Sequence, residues 1–382
     1  MERAYDLVLF GATGFTGGLT AEYLIANAPA DARIALAGRN LDKLRALGHD
    51  VALIKADASD PDSLRQLAES TRVLVTTVGP YLQYGEPLVA ACAAAGTGYL
   101  DLTGEPEFVD RMYLRYHAQA TETGARLIHA CGFDSVPHDL GAFYTVQQLP
   151  EGVPLSVNGY VRVGATFSGG TYHSAVTAMS RLRQMAGTAR QRNKLEQGRW
   201  NANGRRVHGS VKPPHKVPEA GGWVLSAPLI DPQIVLRSAR ALERYGPDFS
   251  YGHYIVPGTA LTTAQIIGAA TALVLAAQTP PTRKLALGLR DPGDGPSEET
   301  RAKSWFRVRF SGEGGGKRVL TQVSGGDPGY GETAKMLAEA ALCLAFDDVP
   351  DVAGQVTTAQ ALGQPLLERL TRAGISFETL RT

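Results

Sequence analysis

Residues 7 to 17 read LVLFGATGFTG, and this stretch decides the fold of the first part of the chain. An apolar run that suits a buried strand ends at Gly11, and Gly14 and Gly17 follow before an amphipathic segment begins. In a strand–turn–helix unit, glycines at this spacing permit the tight turn, the close approach of a pyrophosphate and the packing of the helix on the strand. The predicted phosphate-binding residues are those of the turn: Gly11, Thr13, Gly14, Phe15, Thr16 and Gly17.

The composition is that of a globular protein large enough for two domains of ordinary size. Its 382 residues are 44% hydrophobic and 20% charged, and the net charge of +1 argues against bulk binding of nucleic acid. The three cysteines, Cys92, Cys131 and Cys343, are far apart and show no disulfide or metal-ligand spacing. No signal-peptide pattern precedes the first strand, so we expect a cytoplasmic protein.

Strand and helix patterns alternate from the first strand to about residue 130. Further strands are predicted at 32–39, 50–57, 72–80, 98–102 and 125–132. The alternation predicts an α/β fold with a doubly wound parallel sheet, a Rossmann domain. Ligands of such sheets bind outside the carboxyl ends of the strands, so the site residues are expected there.

The second strand ends in the sequence AGR, where an NAD-selective site would have an acidic residue for the ribose 2′-hydroxyl. A guanidinium suits a 2′-phosphate, so Arg39 predicts NADPH as the cofactor; the alternative is that it stacks on the adenine or faces solvent. Asp57 ends the third strand and is predicted either to bind the adenine amino group or to serve as a cap or turn residue. The residues expected near the nicotinamide follow the fourth strand: Val78, Gly79, Pro80 and Tyr81.

Further segments of the chain resemble one protein family. They are AGR at 37–39, VGPYLQYGEPLVAACAAAGTGYLDLTGE at 78–105, HACGFDSVPHDLG at 129–141 and GGDPGYGETAKMLAEAALCL at 325–344. Together with the glycine turn they resemble the saccharopine dehydrogenase-like oxidoreductases, and within these the branch that contains trans-acting enoyl reductases. The resemblance covers nearly the whole chain. It implies an NAD(P)-dependent oxidoreductase with a Rossmann domain, an α+β domain, C-terminal helices that pack back on the first domain, and a homodimer.

The pattern changes after about residue 150, which sets the predicted domain boundaries. Strands are predicted at 154–168 and 305–325, the second of them a hairpin, and helices at 331–346 and 359–373. We predict a dinucleotide-binding domain over 1–132, an α+β substrate and dimerisation domain over 133–345, and a C-terminal helical segment over 346–382 that returns to the Rossmann domain.

Hydride transfer to a double bond also needs a proton for the other atom of that bond. The segment HACGFDSVPHDLG offers Asp134, Ser135 or His138 as a proton relay. Tyr81, beside the expected nicotinamide position, and Tyr84 are competing donors. Alternatively, Asp134 or Ser135 caps the helix that Pro137 begins, and Tyr81 only lines the cofactor pocket. No metal-ligand cluster and no Ser/His/Asp constellation stands out in the sequence.

Two regions bear on the substrate. Residues 181–216 hold ten Lys or Arg and a single acid, Glu196, which predicts either an acidic partner or a solvated excursion. The candidate partners are an acyl carrier protein, the phosphates of coenzyme A and anionic lipid. Residues 254–282 contain no Asp, Glu, Lys or Arg, and they predict a helix that is buried, lines an apolar tunnel or touches a membrane surface.

These observations leave three functions open. The leading hypothesis is an NADPH-dependent reductase that saturates the C=C bond of an α,β-unsaturated fatty-acyl or polyketide thioester. The second is an oxidoreductase that acts on a C–N bond, as saccharopine dehydrogenases do, and the third is a lipid-associated protein that binds the nucleotide without turnover. We expect a cytoplasmic homodimer, with peripheral membrane contact as an option, and no nucleic-acid partner.

Overall fold

The computed structural model describes residues 3–165, 169–200, 204–227, 229–288 and 296–381, and it divides into two compact units. The first unit is formed by Met1–Asp134 and Gly329–Ala373, and the second by Ser135–Pro328 and Gly374–Thr382. The first boundary lies close to the predicted one. The predicted boundary at 345 differs, because the helix that contains it belongs entirely to the first unit.

The described residues form strands and helices with the following bounds. The strands are β1 Tyr5–Phe10, β2 Ile34–Gly38, β3 Ala52–Lys55, β4 Thr71–Thr76, β5 Gly98–Asp101, β6 Arg126–Ile128, β7 Leu155–Gly164, β8 Arg206–Ser210, β9 His215–Val217, β10 Gly222–Ser226, β11 Asp248–Gly258, β12 Trp305–Gly314, β13 Lys317–Gly325, β14 Gly354–Val356 and β15 Ser376–Arg381. The helices are α1 Phe15–Asn27, α2 Leu41–Arg45, α3 Pro61–Ser70, α4 Tyr81–Tyr84, α5 Glu86–Ala95, α6 Pro106–Thr123, α7 Val136–Gln147, α8 Gly169–Ser180, α9 Leu182–Trp200, α10 Asp231–Ala241, α11 Ala260–Ala277, α12 Pro280–Leu287, α13 Glu298–Ala302, α14 Gly331–Phe346, α15 Thr358–Ala361 and α16 Gly363–Arg372.

The sheet of the first unit has seven parallel strands in the order β14-β6-β5-β4-β1-β2-β3. Every residue from Leu7 to Phe10 on the central strand β1 is buried, which explains the unbroken apolar run in the sequence. After β3 the chain returns past β1 to form β4, so the carboxyl ends of β1 and β4 flank the switch point at which doubly wound sheets bind ligands. The structure thus confirms the predicted Rossmann sheet.

The C-terminal helices pack on this sheet's own helices, as the resemblance implied. Helix α14 lies against α1 and β4, with Ala and Leu side chains buried along its length. The Tyr23 hydroxyl on α1 donates to Oε1 of Glu339 on α14 at 2.8 Å. Arg369 on α16 bonds both Glu339 and Asp347, which fixes α16 on α14.

The second unit contains a mixed sheet in the order β15-β13-β12-β7-β11-β10-β9, with β8 paired to β11. Strands β12 and β13 form the predicted antiparallel hairpin, and α7 packs so closely on the sheet that a Cβ on Gly141 would lie 2.3 Å from Phe310. The α+β architecture of this part is therefore confirmed.

Two short strands differ from the predictions. β14 adds a seventh strand to the first sheet, and its three residues are too few to show a periodicity in the sequence. The last strand, β15, pairs with β13 in the second sheet, so the end of the predicted helical segment 346–382 is a strand and belongs to the second unit. Half-exposed and exposed residues along β15 hide the alternation expected of a strand.

Candidate nucleotide-binding and active site

The glycine turn after β1 is packed too tightly for other residues at two of its positions. Gly11 has φ +102°, which favours glycine, and its N–H donates to the Ala37 carbonyl on β2 at 3.0 Å. A Cβ on Gly17 would lie 2.1 Å from the Gly11 carbonyl oxygen, whereas a Cβ on Gly14 would meet no atom closer than 3.5 Å. Gly17 therefore serves the packing of α1 on β1, and the space above Gly14 is open.

The N-terminus of α1 presents its first-turn N–H groups without a capping side chain. Gly14 is the N-cap in an extended conformation, and the first turn carries no acidic residue. Thr13, Gly14 and Phe15 are exposed, and Thr16 is half-buried. A helix N-terminus with positive dipole character, no capping side chain and no acidic residue in its first turn suits the diphosphate of a dinucleotide. The Phe15 ring packs edge-on against Tyr330, with 4.9 Å between the ring centroids.

Arg39 follows β2 with its side chain exposed at the carboxyl end of the sheet. Within the described ranges its guanidinium has neither a hydrogen-bond partner nor an ion pair, so it is available to a 2′-phosphate. Asp57, beyond β3, accepts hydrogen bonds at Oδ1 from the Ser59 N–H at 2.9 Å and the Ser59 hydroxyl at 2.8 Å. These bonds, with the charge of Arg39 adding to them, lower the pKa of Asp57. The structure shows its turn role, and the adenine contact stays a prediction.

The segment Val78–Tyr81 leaves the carboxyl end of β4 beside the glycine turn. The Thr77 hydroxyl donates to the Gly11 carbonyl at 3.2 Å, which ties the two strand ends together. Gly79 and Pro80 are exposed, whereas Tyr81 is buried at the start of α4. The Glu105 carboxylate accepts from the Tyr81 N–H at 3.1 Å and holds this turn in place. The segment is therefore both fixed and accessible at the expected cofactor edge.

Tyr81 itself is engaged by the backbone. Its hydroxyl donates to the Thr76 carbonyl at 3.2 Å and accepts from the Leu102 N–H at 3.1 Å. Burial raises the pKa of this tyrosine well above its usual range. Because the single hydroxyl proton is committed to a carbonyl, this geometry argues against the predicted role of Tyr81 as proton donor and favours a role in holding the ends of β4 and β5 together.

A buried polar cluster at the carboxyl ends of β5 and β6 joins Asp101 to His129, and the sequence did not predict this contact. Oδ2 of Asp101 lies 2.6 Å from Nδ1 of His129 and accepts from the Tyr99 hydroxyl at 2.9 Å. Oδ1 accepts from the N–H groups of Ala130 and Thr103 at 2.9 and 3.0 Å. Both carboxylate oxygens are thus satisfied, and they fix the two strand ends next to Tyr81. The one sequence signal was that both residues end neighbouring strands.

The remaining predicted donors lie in different surroundings. Asp134, the last residue of its segment in the first unit, is half-buried, and its Oδ2 lies 2.9 Å from where a Cβ on Gly104 would stand. Ser135 is the N-cap of α7 with φ +121° but makes no capping hydrogen bond through its side chain. His138 is buried in the second unit, where burial lowers its pKa to about 3. Its imidazole is therefore neutral near neutral pH and is a poor general acid.

His138 belongs to a cluster of the second unit that the sequence did not bring together. Its Nε2 lies 3.5 Å from Oδ1 of Asp231, and its ring centroid lies 5.1 Å from that of His253. Nε2 of His253 lies 3.6 Å from Oδ2 of the same aspartate. Burial lowers the pKa of His253 to about 4 and raises that of Asp231. The sequence shows no metal-ligand spacing, because these three residues are far apart along the chain and only the fold brings them together.

The basic region is less available than its composition predicts. Buried Arg192 pairs with Glu196 at 2.7 Å within α9, and Arg240 reaches the same carboxylate at 3.2 Å. Arg205 donates to backbone carbonyls that include those of Gly246 and Ala239. The exposed basic side chains are those of Arg183, Arg190, Lys194, Arg206, Lys212 and Lys216. The side chain of Arg199 lies outside the described residues. Much of the charge remains on the surface, and the rest stabilises the fold.

The uncharged region forms α11, an exposed helix. Among the described residues, α11 is the one helix long and apolar enough to cross a membrane, and 11% of it is buried. Leu261 and Leu275 are 70% and 67% exposed. This exposure is inconsistent with a buried core helix, which was one of the three structures predicted for residues 254–282. It leaves an apolar surface that an apolar partner could cover.

Comparisons with known proteins identify relatives of the first unit and of the whole chain. A family model for the saccharopine dehydrogenase NADP binding domain matches residues 7–128. A Mycobacterium tuberculosis protein named as a candidate trans-acting enoyl reductase is 38% identical, over 99% of this chain and 98% of its own. A trans-acting enoyl reductase of Mycobacterium ulcerans is 33% identical, over 100% and 99% of the two chains. Saccharopine dehydrogenase (L-Glu forming) of Saccharomyces cerevisiae, 11% identical, shares the fold with a TM-score of 0.56 over 98% of this chain and 100% of its own.

Proposed function

Because this chain belongs to the trans-acting enoyl reductase branch of the saccharopine dehydrogenase-like oxidoreductases, we propose that it reduces the C=C bond of an α,β-unsaturated acyl thioester. It is an NAD(P)-dependent oxidoreductase, and its cofactor is NADPH. The observation that carries the proposed reaction is the sequence identity of 33–38% to enoyl reductases over the full length of the chain. The uncapped glycine turn and the free Arg39 supply the matching site.

The residues at the carboxyl edge of the first sheet fit NADPH in separate ways. The first-turn N–H groups of α1 would hold the diphosphate, and the open space above Gly14 lets it approach the backbone. Arg39 would pair with the 2′-phosphate. The exposed turn at Gly79 and Pro80 would border the nicotinamide. When bound, NADPH supplies the hydride that the β-carbon of the enoyl group receives.

The α-carbon then needs a proton to complete the saturated thioester. Among the predicted donors, Tyr81 is bonded to a backbone carbonyl and His138 is neutral and buried. Asp134 is half-buried, so solvent reaches it in part. We therefore keep Asp134 as the proposed proton relay: its carboxylate would orient a solvent water molecule that gives its proton to the α-carbon. Asp134→Asn should lower kcat more than it lowers NADPH affinity.

The deciding experiment measures NADPH oxidation by the full-length protein with two substrate panels. One panel holds enoyl thioesters on coenzyme A and on an acyl carrier protein, and the other holds imines and 2-keto acids. Turnover on the first panel alone is expected. Turnover restricted to the second panel would contradict enoyl reduction and support the C–N alternative. Tight NADPH binding with no turnover on either would support a nucleotide-binding protein without catalysis.

We also propose that the acyl group arrives on an acidic carrier, either an acyl carrier protein or coenzyme A. Arg183, Arg190 and Lys194 on α9 are exposed and could face such a partner. Changing all three to Glu should raise KM for carrier-bound substrate with little change in kcat on a short, uncharged thioester. A salt dependence of KM that disappears in the triple variant would support the same contact.

We propose that the protein is cytoplasmic and contacts a lipid surface peripherally; the exposed helix α11 supports the lipid contact. Its uncharged, apolar face suits peripheral contact with a bilayer. Sedimentation with anionic phospholipid vesicles is expected for the wild type and should be lost on changing Leu261 and Leu275 to Glu. Light scattering of the same two proteins tests the predicted homodimer. A wild-type dimer that the double variant turns into a monomer, without vesicle binding, would assign α11 to the subunit interface.

A further inference from the structure

Three residues from three elements of the second unit meet in its interior. They are His138 on α7, Asp231 at the start of α10 and His253 on β11, and their side chains are between 2% and 4% exposed. We propose that this cluster binds a divalent transition-metal ion, best matched by zinc. The ion would join two helices to the sheet of this unit.

The distances within the cluster suit an ion better than hydrogen bonds. Nε2 of His138 and Nε2 of His253 lie 3.5 and 3.6 Å from the two oxygens of Asp231. An N–H···O hydrogen bond joins atoms about 2.7–3.2 Å apart. Ligand atoms around a tetrahedral zinc lie about 3.3–3.6 Å from one another, given metal–ligand bonds of about 2.0–2.2 Å. All the candidate ligand atoms lie within 4.8 Å of one another, so a small inward shift would bring the three ligands onto one ion, and a bound water molecule would take the fourth tetrahedral position.

Two of the atoms that would bind the ion are otherwise unsatisfied. Oδ1 of Asp231 and Nε2 of His253 are buried and have no hydrogen-bond partner in the part of the chain that the structure describes. Burying a carboxylate oxygen and an imidazole nitrogen without partners is costly, and a single cation would satisfy both. The Tyr251 hydroxyl lies 3.3 Å from Nδ1 of His253 and engages the other ring nitrogen, as outer contacts of metal-binding histidines do.

The ligand set and its burial together indicate which metal chemistry to expect. Two imidazoles and a carboxylate serve both zinc sites and non-haem iron sites. Iron sites of this type keep positions open to their reactants, whereas this cluster is closed to solvent. A zinc ion that joins α7, α10 and β11 would therefore stabilise the second unit and take no part in hydride transfer.

The test is calorimetric titration of Zn²⁺ into full-length protein stripped of metal by a chelator. One ion per chain is expected, together with a rise in the melting temperature followed by tryptophan fluorescence. Loading with Co²⁺ instead should give the visible d–d absorption of a tetrahedral site. Asp231→Asn should weaken Zn²⁺ binding by more than about a hundredfold.

Asp248→Asn is the matched control, because Asp248 pairs with His208 at 3.7 Å in the same unit with both side chains more than 40% exposed. This control should bind Zn²⁺ like the wild type. His253→Asn replaces Asp231→Asn if the latter does not fold. Absence of Zn²⁺ binding by the wild type, or equal binding by the wild type and a cluster variant, would overturn the proposal.

Discussion

Each unit buries an Asp–His contact, and the two contacts differ in how completely the fold satisfies them. In the first unit Asp101 lies 2.6 Å from His129 and accepts three further hydrogen bonds. In the second unit Asp231 stands 3.5 and 3.6 Å from two histidines, and its Oδ1 makes no hydrogen bond to any described residue. The first contact fixes strand ends by itself, whereas the second leaves room for an ion. A buried acid–base pair therefore has a role that its distances and remaining partners decide, not its residue types.

Replacing each aspartate with asparagine should give the largest effect, at Asp101, and the sharpest contrast between the two units. Asp101→Asn removes an acceptor that His129 and Tyr99 share, and it should cost about 3–5 kcal/mol. Asp231→Asn in metal-free protein should cost about 1 kcal/mol, because its contacts are long. The three tryptophans, Trp200, Trp223 and Trp305, all belong to the second unit, so their fluorescence in urea reports that unit. Circular dichroism follows the unfolding of both units. Equal losses of stability in the two variants would contradict the difference between the two Asp–His contacts.

The glycine turn offers a second pair, in which one position is filled and the other is open. Gly17→Ala places a Cβ 2.1 Å from a backbone oxygen and should destabilise the first unit by about 1–3 kcal/mol or more. Gly14→Ala meets nothing closer than 3.5 Å, and the φ of −79° at this position suits alanine. The second variant should therefore fold normally and show its effect in NADPH affinity. If both variants fold and bind NADPH like the wild type, the turn does not hold the diphosphate.

Arg39 lies at the open edge of the sheet, where its exposed guanidinium has no partner among the described residues and is available to a ligand. Arg39→Ala should weaken NADPH binding by roughly tenfold to a hundredfold, the value of a charge-assisted hydrogen bond, and leave NADH binding nearly unchanged. Arg45→Ala is the control, since Arg45 pairs with Asp42 on exposed α2. Fluorescence titration with both nucleotides measures the ratio. Equal losses for NADPH and NADH would show that Arg39 does not meet the 2′-phosphate.

Tyr81→Phe should have the smallest effect on cofactor binding and catalysis, and it extends the comparison to a buried hydroxyl that the fold satisfies. Loss of its bonds to Thr76 and Leu102 should cost about 1–2 kcal/mol of stability. If the hydroxyl only positions the strand ends, kcat falls by less than about tenfold, whereas loss of a general acid costs about 10²–10⁴-fold. Tyr84→Phe, at a side chain that is 47% exposed, serves as the control. A loss in the larger range would restore Tyr81 as the proton donor.

Much of the first unit could be predicted from its sequence because the signals are local. The run before Gly11 is continuous and apolar because β1 is covered on both faces, and the glycine spacing reflects contacts between residues a few positions apart. The position of Arg39 at the cofactor edge could be predicted because this residue directly follows a strand. Short strands such as β14 could not be predicted, because three residues are too few to show the alternation of apolar and polar side chains that indicates a strand.

The sequence by itself therefore determined the Rossmann sheet, the family, the cofactor and the edge at which that cofactor is expected. Tertiary structure decided the rest: that Asp101 meets His129, that the Tyr81 hydroxyl is taken by backbone groups, and that His138 joins Asp231 and His253. The members of these groups come from different strands and helices, and no spacing along the chain records their approach. Whether a polar side chain is free to act depends on burial and on the partners that packing brings to it.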